Sequence, residues 1–288
     1  MNKQLQLRLI SWFIFLFTTG MINACGGKTK QPISGIDKEE IKPKTEEAIS
    51  LPDSLQTKEE ENPAFDSNIH KAWLGDRITK DFLMGKVKRT QDTLFVKVGE
   101  EHTERNIYLL QPVYEAYKKM HEAAQADGVR LLITSGHRTF VEQVCEWELR
   151  WNNPRTTEPF PSDVEKARFV LQYRSMPGTS RHHWGTDIDL NSFKPAYFET
   201  EEGKKMYHWL QKNAHTYGFY QPYTAFNEKR PVGYNEEKWH WSFFPIADIM
   251  LIAYLEQIHK EDIRGFKGDQ TVKSLPVIKD WVCGISPL

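Results

Sequence analysis

The chain has 288 residues, with 38 basic and 39 acidic side chains and a formal net charge of −1. That balance gives no net positive field, and no basic stripe interleaved with aromatics occurs, which argues against a nucleic-acid partner. Hydrophobic residues make up 39% and charged residues 27%, an ordinary composition with room for one or two domains.

Residues 1–24 read as an export signal. Lys3 and Arg8 form a positive start, and Ile10 to Phe17 is an apolar run. The run is too short to span a bilayer comfortably, since about 20 apolar residues are needed. It ends in Ile22-Asn23-Ala24-Cys25-Gly26, which resembles the lipobox of bacterial lipoproteins. That resemblance implies cleavage before Cys25, lipidation of Cys25, and an extracytoplasmic protein anchored to the membrane in the periplasm or cell envelope. A plain signal peptide and an uncleaved anchor are the alternatives. Residues 25–65 are rich in Lys, Glu, Thr, Ser and Pro. Such a segment cannot bury enough apolar area to offset its ordering entropy, so it is expected to be a disordered tether.

Residues 66–288 are expected to form the folded domain. Asp92 to Val98 reads as a strand. Pro112 opens a helix with Val113, Tyr117, Met120 and Ala124 on one face, closing near Asp127-Gly128. Val129 to Thr134 is a short apolar strand running into Ser135-Gly136-His137-Arg138, and Thr139 to Trp151 is helical. Ser162-Asp163-Val164-Glu165 is a capping-box pattern, starting a helix that ends before Pro177-Gly178. Glu201 to Tyr217 is a helix stopped by Gly218. Lys238 to Phe244 is strand-like, and Ile246 to His259 is a helix. Helices separated by single strands predict an α+β fold, a small and mostly antiparallel sheet flanked by helices around a cleft. Cys145 and Cys283 lie far apart in the chain, and nothing in the sequence decides whether they pair.

Two segments carry the chemistry. Ser180-Arg181-His182-His183-Trp184-Gly185-Thr186-Asp187-Ile188-Asp189 and Glu237-Lys238-Trp239-His240 offer His182, Asp189 and His240 as metal ligands, with Glu237 as a base. Three protein ligands leave a fourth position on Zn2+ for water, the arrangement of a hydrolytic site. A seven-residue offset separates His182 from Asp189 by roughly 23 Å in a strand or roughly 10 Å in a helix. The chain must therefore turn between them, and Gly185 permits it. In a following strand, Asp187 and Asp189 share one face and Ile188 and Leu190 the other. His240 and Ser242 likewise share a face, opposite Trp239, Trp241 and Phe243. Glu237 falls on the wrong face unless the chain bends near Asn235-Glu236-Glu237.

The pattern Ser-x-His-x-x-Gly-x-x-x-Asp followed by Glu-x-Trp-His is similar to that of the zinc D-alanyl-D-alanine carboxypeptidases of the vancomycin-resistance type. They belong to a larger group (LAS metallopeptidases) that includes lysostaphin-like peptidases and the hedgehog amino-terminal domain. The resemblance extends from near Phe82 to near the end. Ser135-Gly136-His137-Arg138 resembles the family's Ser-Gly-Tyr-Arg, with His137 in place of Tyr, and Asp187 stands where members usually carry a small residue. The resemblance implies cleavage of the terminal D-Ala from peptidoglycan stem peptides. Glu237 would be the general base, Arg138 would hold the substrate carboxylate or the developing oxyanion, and Gln143 and Ser180 would line the pocket. An L,D-carboxypeptidase, a D,D-dipeptidase, an endopeptidase or a non-catalytic zinc-stabilised wall-binding module are the alternatives. A serine peptidase lacks a supporting Gly-x-Ser-x-Gly turn.

Overall fold

A computed structural model describes residues 67–153 and 160–287. The expected export signal, Cys25 and the tether lie outside the described residues. The chain opens with helices α1 (Ser67–Leu74) and α2 (Lys80–Leu83), the latter capped by Thr79, whose hydroxyl accepts from the Phe82 amide. A two-stranded sheet follows, made of β1 (Phe95–Lys97) and β2 (Tyr108–Leu110) in antiparallel register, Phe95 opposite Leu110. The sequence predicts a strand from Asp92, but the Asp92 side chain accepts from the Leu94 amide and its carbonyl from Phe95. That turn delays the strand to Phe95. The pairing strand β2 carries no alternation that marked it in advance.

Helix α3 (Gln111–Ala126) begins on Pro112 and buries Val113, Tyr117, Met120 and Ala124, the face that the spacing predicts. β3 (Ile133–Ser135) is shorter than the apolar run before it suggests. Helix α4 (Phe140–Trp151) starts on a full capping box, with Thr139 and Glu142 each satisfying the other's amide. It buries Gln143, Trp147 and Trp151. Helix α5 (Asp163–Val170) is capped by Ser162 as expected, but ends at Val170, well before Pro177. A 3-10 turn (Arg181–Trp184) leads into β4 (Asp187–Leu190). Helix α6 (Glu201–Asn213), β5 (Phe219–Tyr220), β6 (His240–Phe243) and α7 (Phe244–Gln257) complete the regular elements.

The second sheet has the order β3-β4-β6-β5, with every pairing antiparallel. In its centre Asp187 faces Ser242, Ile188 faces Trp241, and Asp189 faces His240. Directly opposed residues share a face, so Asp187, Asp189, His240 and Ser242 make one polar side and Ile188, Leu190, Trp241 and Phe243 an apolar one. All eight are buried. A buried aliphatic or aromatic side chain contributes roughly 1.5–3 kcal/mol, so the apolar face anchors the sheet on which the polar face is displayed. Asn191 closes β4 with a positive φ of 58°. From there its side chain accepts from the Leu132 amide and donates to the Arg130 carbonyl, continuing the β3–β4 edge.

This is the predicted α+β architecture. Cys145 and Cys283 are both free thiols. Among the described residues no helix is long and apolar enough to cross a membrane.

Candidate metal centre and cleft

The 3-10 turn delivers His182. Its last residue, Trp184, is fully buried and donates from its indole to the Leu83 carbonyl. Gly185 then takes φ of 72°, and a Cβ there would come within 2.7 Å of the Phe95 ring. Glycine is required twice over, by the left-handed conformation and by the close approach. The expected reversal between His182 and Asp189 thus occurs at Gly185.

His182 Nδ1 lies 2.8 Å from the Gly136 carbonyl. A carbonyl only accepts, so Nδ1 carries the proton and the Nε2 lone pair is free to face Asp189 Oδ2, 3.1 Å away. Burial lowers the His182 pKa, with the nearby Asp189 opposing, which favours the neutral ring. His240 is held the other way round. Its Nε2 meets Asp187 Oδ2 at 2.8 Å, and its Nδ1 lies 3.2 Å from Asp189 Oδ1. Burial pulls the His240 ring down, but its hydrogen bonds to Asp187 and Asp189 outweigh this and raise it to about 10. A cation that takes Nδ1 must therefore displace a proton.

Donor atoms of His182, Asp189 and His240 all lie within 4.8 Å of one another. Asp189 Oδ1 is buried and meets no hydrogen-bond donor in good geometry. A buried carboxylate oxygen left without a partner is costly unless a cation completes it. The donor set, two imidazole nitrogens and one carboxylate, is that of zinc with one position left open.

Glu237 reaches the same side by a turn the sequence placed slightly too early. The bend falls at Lys238-Trp239, closed by the His240 amide on the Glu237 carbonyl, and not at Asn235-Glu236-Glu237. It brings Glu237 Oε2 within 3.5 Å of His240 Nδ1. The Glu237 backbone is pinned by the Tyr223 carbonyl and the Gln221 side chain. Burial raises the Glu237 carboxyl to about 7, with Asp189 adding to the shift and His240 opposing it.

These groups form the floor of a cleft of about 520 Å³. Arg138 lies beside them, with Nη2 4.0 Å from Asp189 Oδ2. Its guanidinium is braced by Gln143 Oε1 at 2.8 Å and Ser135 Oγ at 3.1 Å. Ser180 lines the cleft as expected, but Gln143 does not. Gln143 is fully buried behind Arg138 and donates onward to the Ser175 carbonyl, because a five-residue offset along the start of α4 aims it at the guanidinium. Its role is to hold Arg138. Trp184, Trp239 and Trp241 are all buried, and Trp239 also borders the cleft.

Sequence reasoning missed His183. Its Nε2 accepts from the Gly178 amide and its Nδ1 donates to the Arg138 carbonyl. Burial pulls its pKa down to about 3, so a neutral ring ties the metal segment to the strand end that carries Arg138. The doublet His182-His183 was the available signal, since adjacent residues on a 3-10 turn point to different sides.

Fold and site together define an α+β domain built around a His/Asp/His cation centre with an adjacent carboxylate and an arginine. Residues 106–246 match the family described as VanY: D-alanyl-D-alanine carboxypeptidase. The match is shorter than the stretch from Phe82 to near the end over which the resemblance was read. YodJ of Bacillus subtilis is 27% identical over 167 residues, covering 53% of this chain and 55% of its own length. The D-alanyl-D-alanine carboxypeptidase of Enterococcus faecalis is 28% identical over 134 residues, covering 44% of this chain and 45% of its own length. The chain thus spans about half the length of the curated relatives it matches. Among solved structures, a vancomycin-resistance D,D-pentapeptidase VanY in complex with Zn(II) aligns with a TM-score of 0.44 and 21% identity, over 62% of this chain and 93% of that one. The LdcB LD-carboxypeptidase aligns with a TM-score of 0.42 and 22% identity, over 61% of this chain and 79% of that one.

Proposed function

We propose that this protein is a zinc-dependent peptidase that removes the C-terminal D-Ala from peptidoglycan stem peptides, a D-alanyl-D-alanine carboxypeptidase. The observation that carries this reading is the convergence of His182, Asp189 and His240 beside a buried Glu237 on the floor of an open cleft. The family match over residues 106–246 supports it. So do the printed activity of the Enterococcus faecalis relative and the Zn(II) bound by a VanY structure.

His182, Asp189 and His240 would hold the zinc. When bound, zinc supplies Lewis acidity that polarises the scissile carbonyl and makes water a better acid. Glu237, with its carboxyl near 7, takes the proton of the attacking water and returns it to the leaving amine. Arg138, held by Gln143 and Ser135, presents its planar fork to the substrate's terminal carboxylate. Ser180 contributes cleft wall. A pendant domain acting on the cell envelope suits the amino-terminal sequence, so we also propose lipidation at Cys25 with the 25–65 segment as a tether.

Digestion of purified muropeptides with and without a chelator, followed by mass analysis, tests the reading. Loss of one alanine, abolished by the chelator and restored by zinc, is the expected result. Two peptide fragments would instead indicate an endopeptidase, loss of a dipeptide a D,D-dipeptidase, and trimming only of tetrapeptide stems an L,D-carboxypeptidase. No cleavage by the zinc-loaded protein would leave a binding module.

A further inference from the structure

Asp187 stands in the middle of the metal segment without being a ligand. It is fully buried on the polar face of the sheet, diagonal to His240 across the β4–β6 pair. Its Oδ2 receives His240 Nε2 at 2.8 Å and Arg181 Nε at 3.0 Å. Its Oδ1 receives the Thr186 hydroxyl at 2.6 Å and the Ser242 hydroxyl at 2.9 Å. Arg181 in turn donates from Nη2 to Ser242 Oγ at 2.7 Å and stacks over the Trp184 ring at 4.8 Å. Four donors on two oxygens leave the carboxylate no freedom to rotate.

We propose that Asp187 is a positioning residue of the metal centre: it fixes the ring orientation and tautomer of His240, and Arg181 and Ser242 hold it in place to do so. This rests on the zinc reading above. A carboxylate only accepts, so Nε2 carries a proton, and Nδ1, which faces Asp189, is the nitrogen left for the ion. The two metal histidines are therefore oriented by different means. His182 leans on a backbone carbonyl, which no substitution removes, whereas His240 leans on a side chain.

Arg181 settles the charge. A second carboxylate beside a three-ligand site would weaken the pull of a divalent ion on its fourth ligand. The Arg181 guanidinium, buried against Asp187, cancels that charge and leaves only the hydrogen bond to act on the imidazole. The segment Arg181 to Asp187 thus supplies both members of a neutral pair, on either side of ligand His182. A small residue at position 187, as in the family pattern, could not reach His240, so this support belongs to this chain.

The test is zinc affinity of the purified full chain, measured by competition with a chromophoric chelator, with thermal unfolding of the metal-free protein measured alongside. Asp187→Asn keeps the shape and loses the charge. Its zinc affinity is expected to fall by roughly 10- to 100-fold, the usual cost of losing a group that supports a metal ligand. Ser242→Ala removes one bond from Asp187 and one from Arg181 without touching His240, and its affinity is expected to fall about fivefold. A merely structural Asp187 would lower the unfolding temperature and leave zinc affinity of the folded protein unchanged. If wild type takes up one zinc and Asp187→Asn matches its affinity within about twofold, the proposal is overturned while the zinc reading stands. If wild type takes up no zinc, the zinc reading fails and the proposal fails with it. Should Asp187→Asn not fold, Ser242→Ala decides by the same comparison, and unchanged affinity overturns the proposal.

Discussion

Histidine and carboxylate gather around His240 and around His102, and the two clusters differ in how their ring nitrogens are used. Around His240, three buried side chains point donor atoms at one position, and each ring is fixed from behind by Gly136 or Asp187. Around His102, Nδ1 is used by the Tyr114 hydroxyl at 2.7 Å, and His121 stands edge-on at 4.6 Å with an interplanar angle of 81°. The nearest carboxylate there, Glu101, is 66% exposed. Solvent can satisfy an exposed carboxylate, whereas the orphaned oxygen of Asp189 has no such recourse. Burial lowers both His102 and His121, so this second cluster is a neutral aromatic packing unit. Among the described residues, only His182, Asp189 and His240 form a three-ligand group. Convergence of three buried donor atoms on one position, and not mere proximity of histidines, separates the two.

Substitutions in the two clusters should diverge accordingly. The largest effect is expected from His240→Ala, which should lower zinc affinity by more than the roughly 100-fold that a supporting residue costs; metal content after dialysis checks it, and unchanged content removes His240 from the ligand set. Glu237→Gln should keep zinc yet lower turnover by about 10²- to 10⁴-fold, the range of a general base; single-turnover cleavage with metal content measured alongside distinguishes a lost base from a lost ion. Arg138→Ala should weaken cleavage next to a free C-terminal carboxylate by roughly 10- to 100-fold, as for a lost charged hydrogen bond. An internal peptide bond should be affected far less, and equal losses on both substrates would remove the carboxylate role. The smallest effect belongs to the other cluster. His121→Ala should leave zinc content and turnover unchanged and lower stability by about 1 kcal/mol, read by denaturant unfolding; a loss of zinc there would collapse the distinction drawn above.

Much of the centre was legible because its periods are short-range. Alternation in Asp187 to Leu190 and in Trp239 to Phe243 gave the two faces of the sheet, and Gly185 gave the reversal. Arg138 and Gln143 were both marked by the family resemblance, but the relation between them was not. The pair reads as two groups in one pocket, whereas one holds the other from behind. Strand lengths were over-read wherever a side chain intercepts a backbone amide, as Asp92 does at Leu94. Propensity reports what a segment prefers and is silent on such local competition.

By itself, the sequence determined which residues could bind a metal, which could serve as base, and that an α+β sheet would carry them, because residue chemistry and side-chain alternation are local properties. Only the tertiary structure decided which nitrogen of each histidine faces the ion, that Glu237 turns at Lys238-Trp239 to join them, and that Asp187 and Arg181 cancel each other beside the site. Those facts depend on what lies across the sheet or behind a ring, and the hydrogen-bond partner supplied there is separated by tens of residues in the chain.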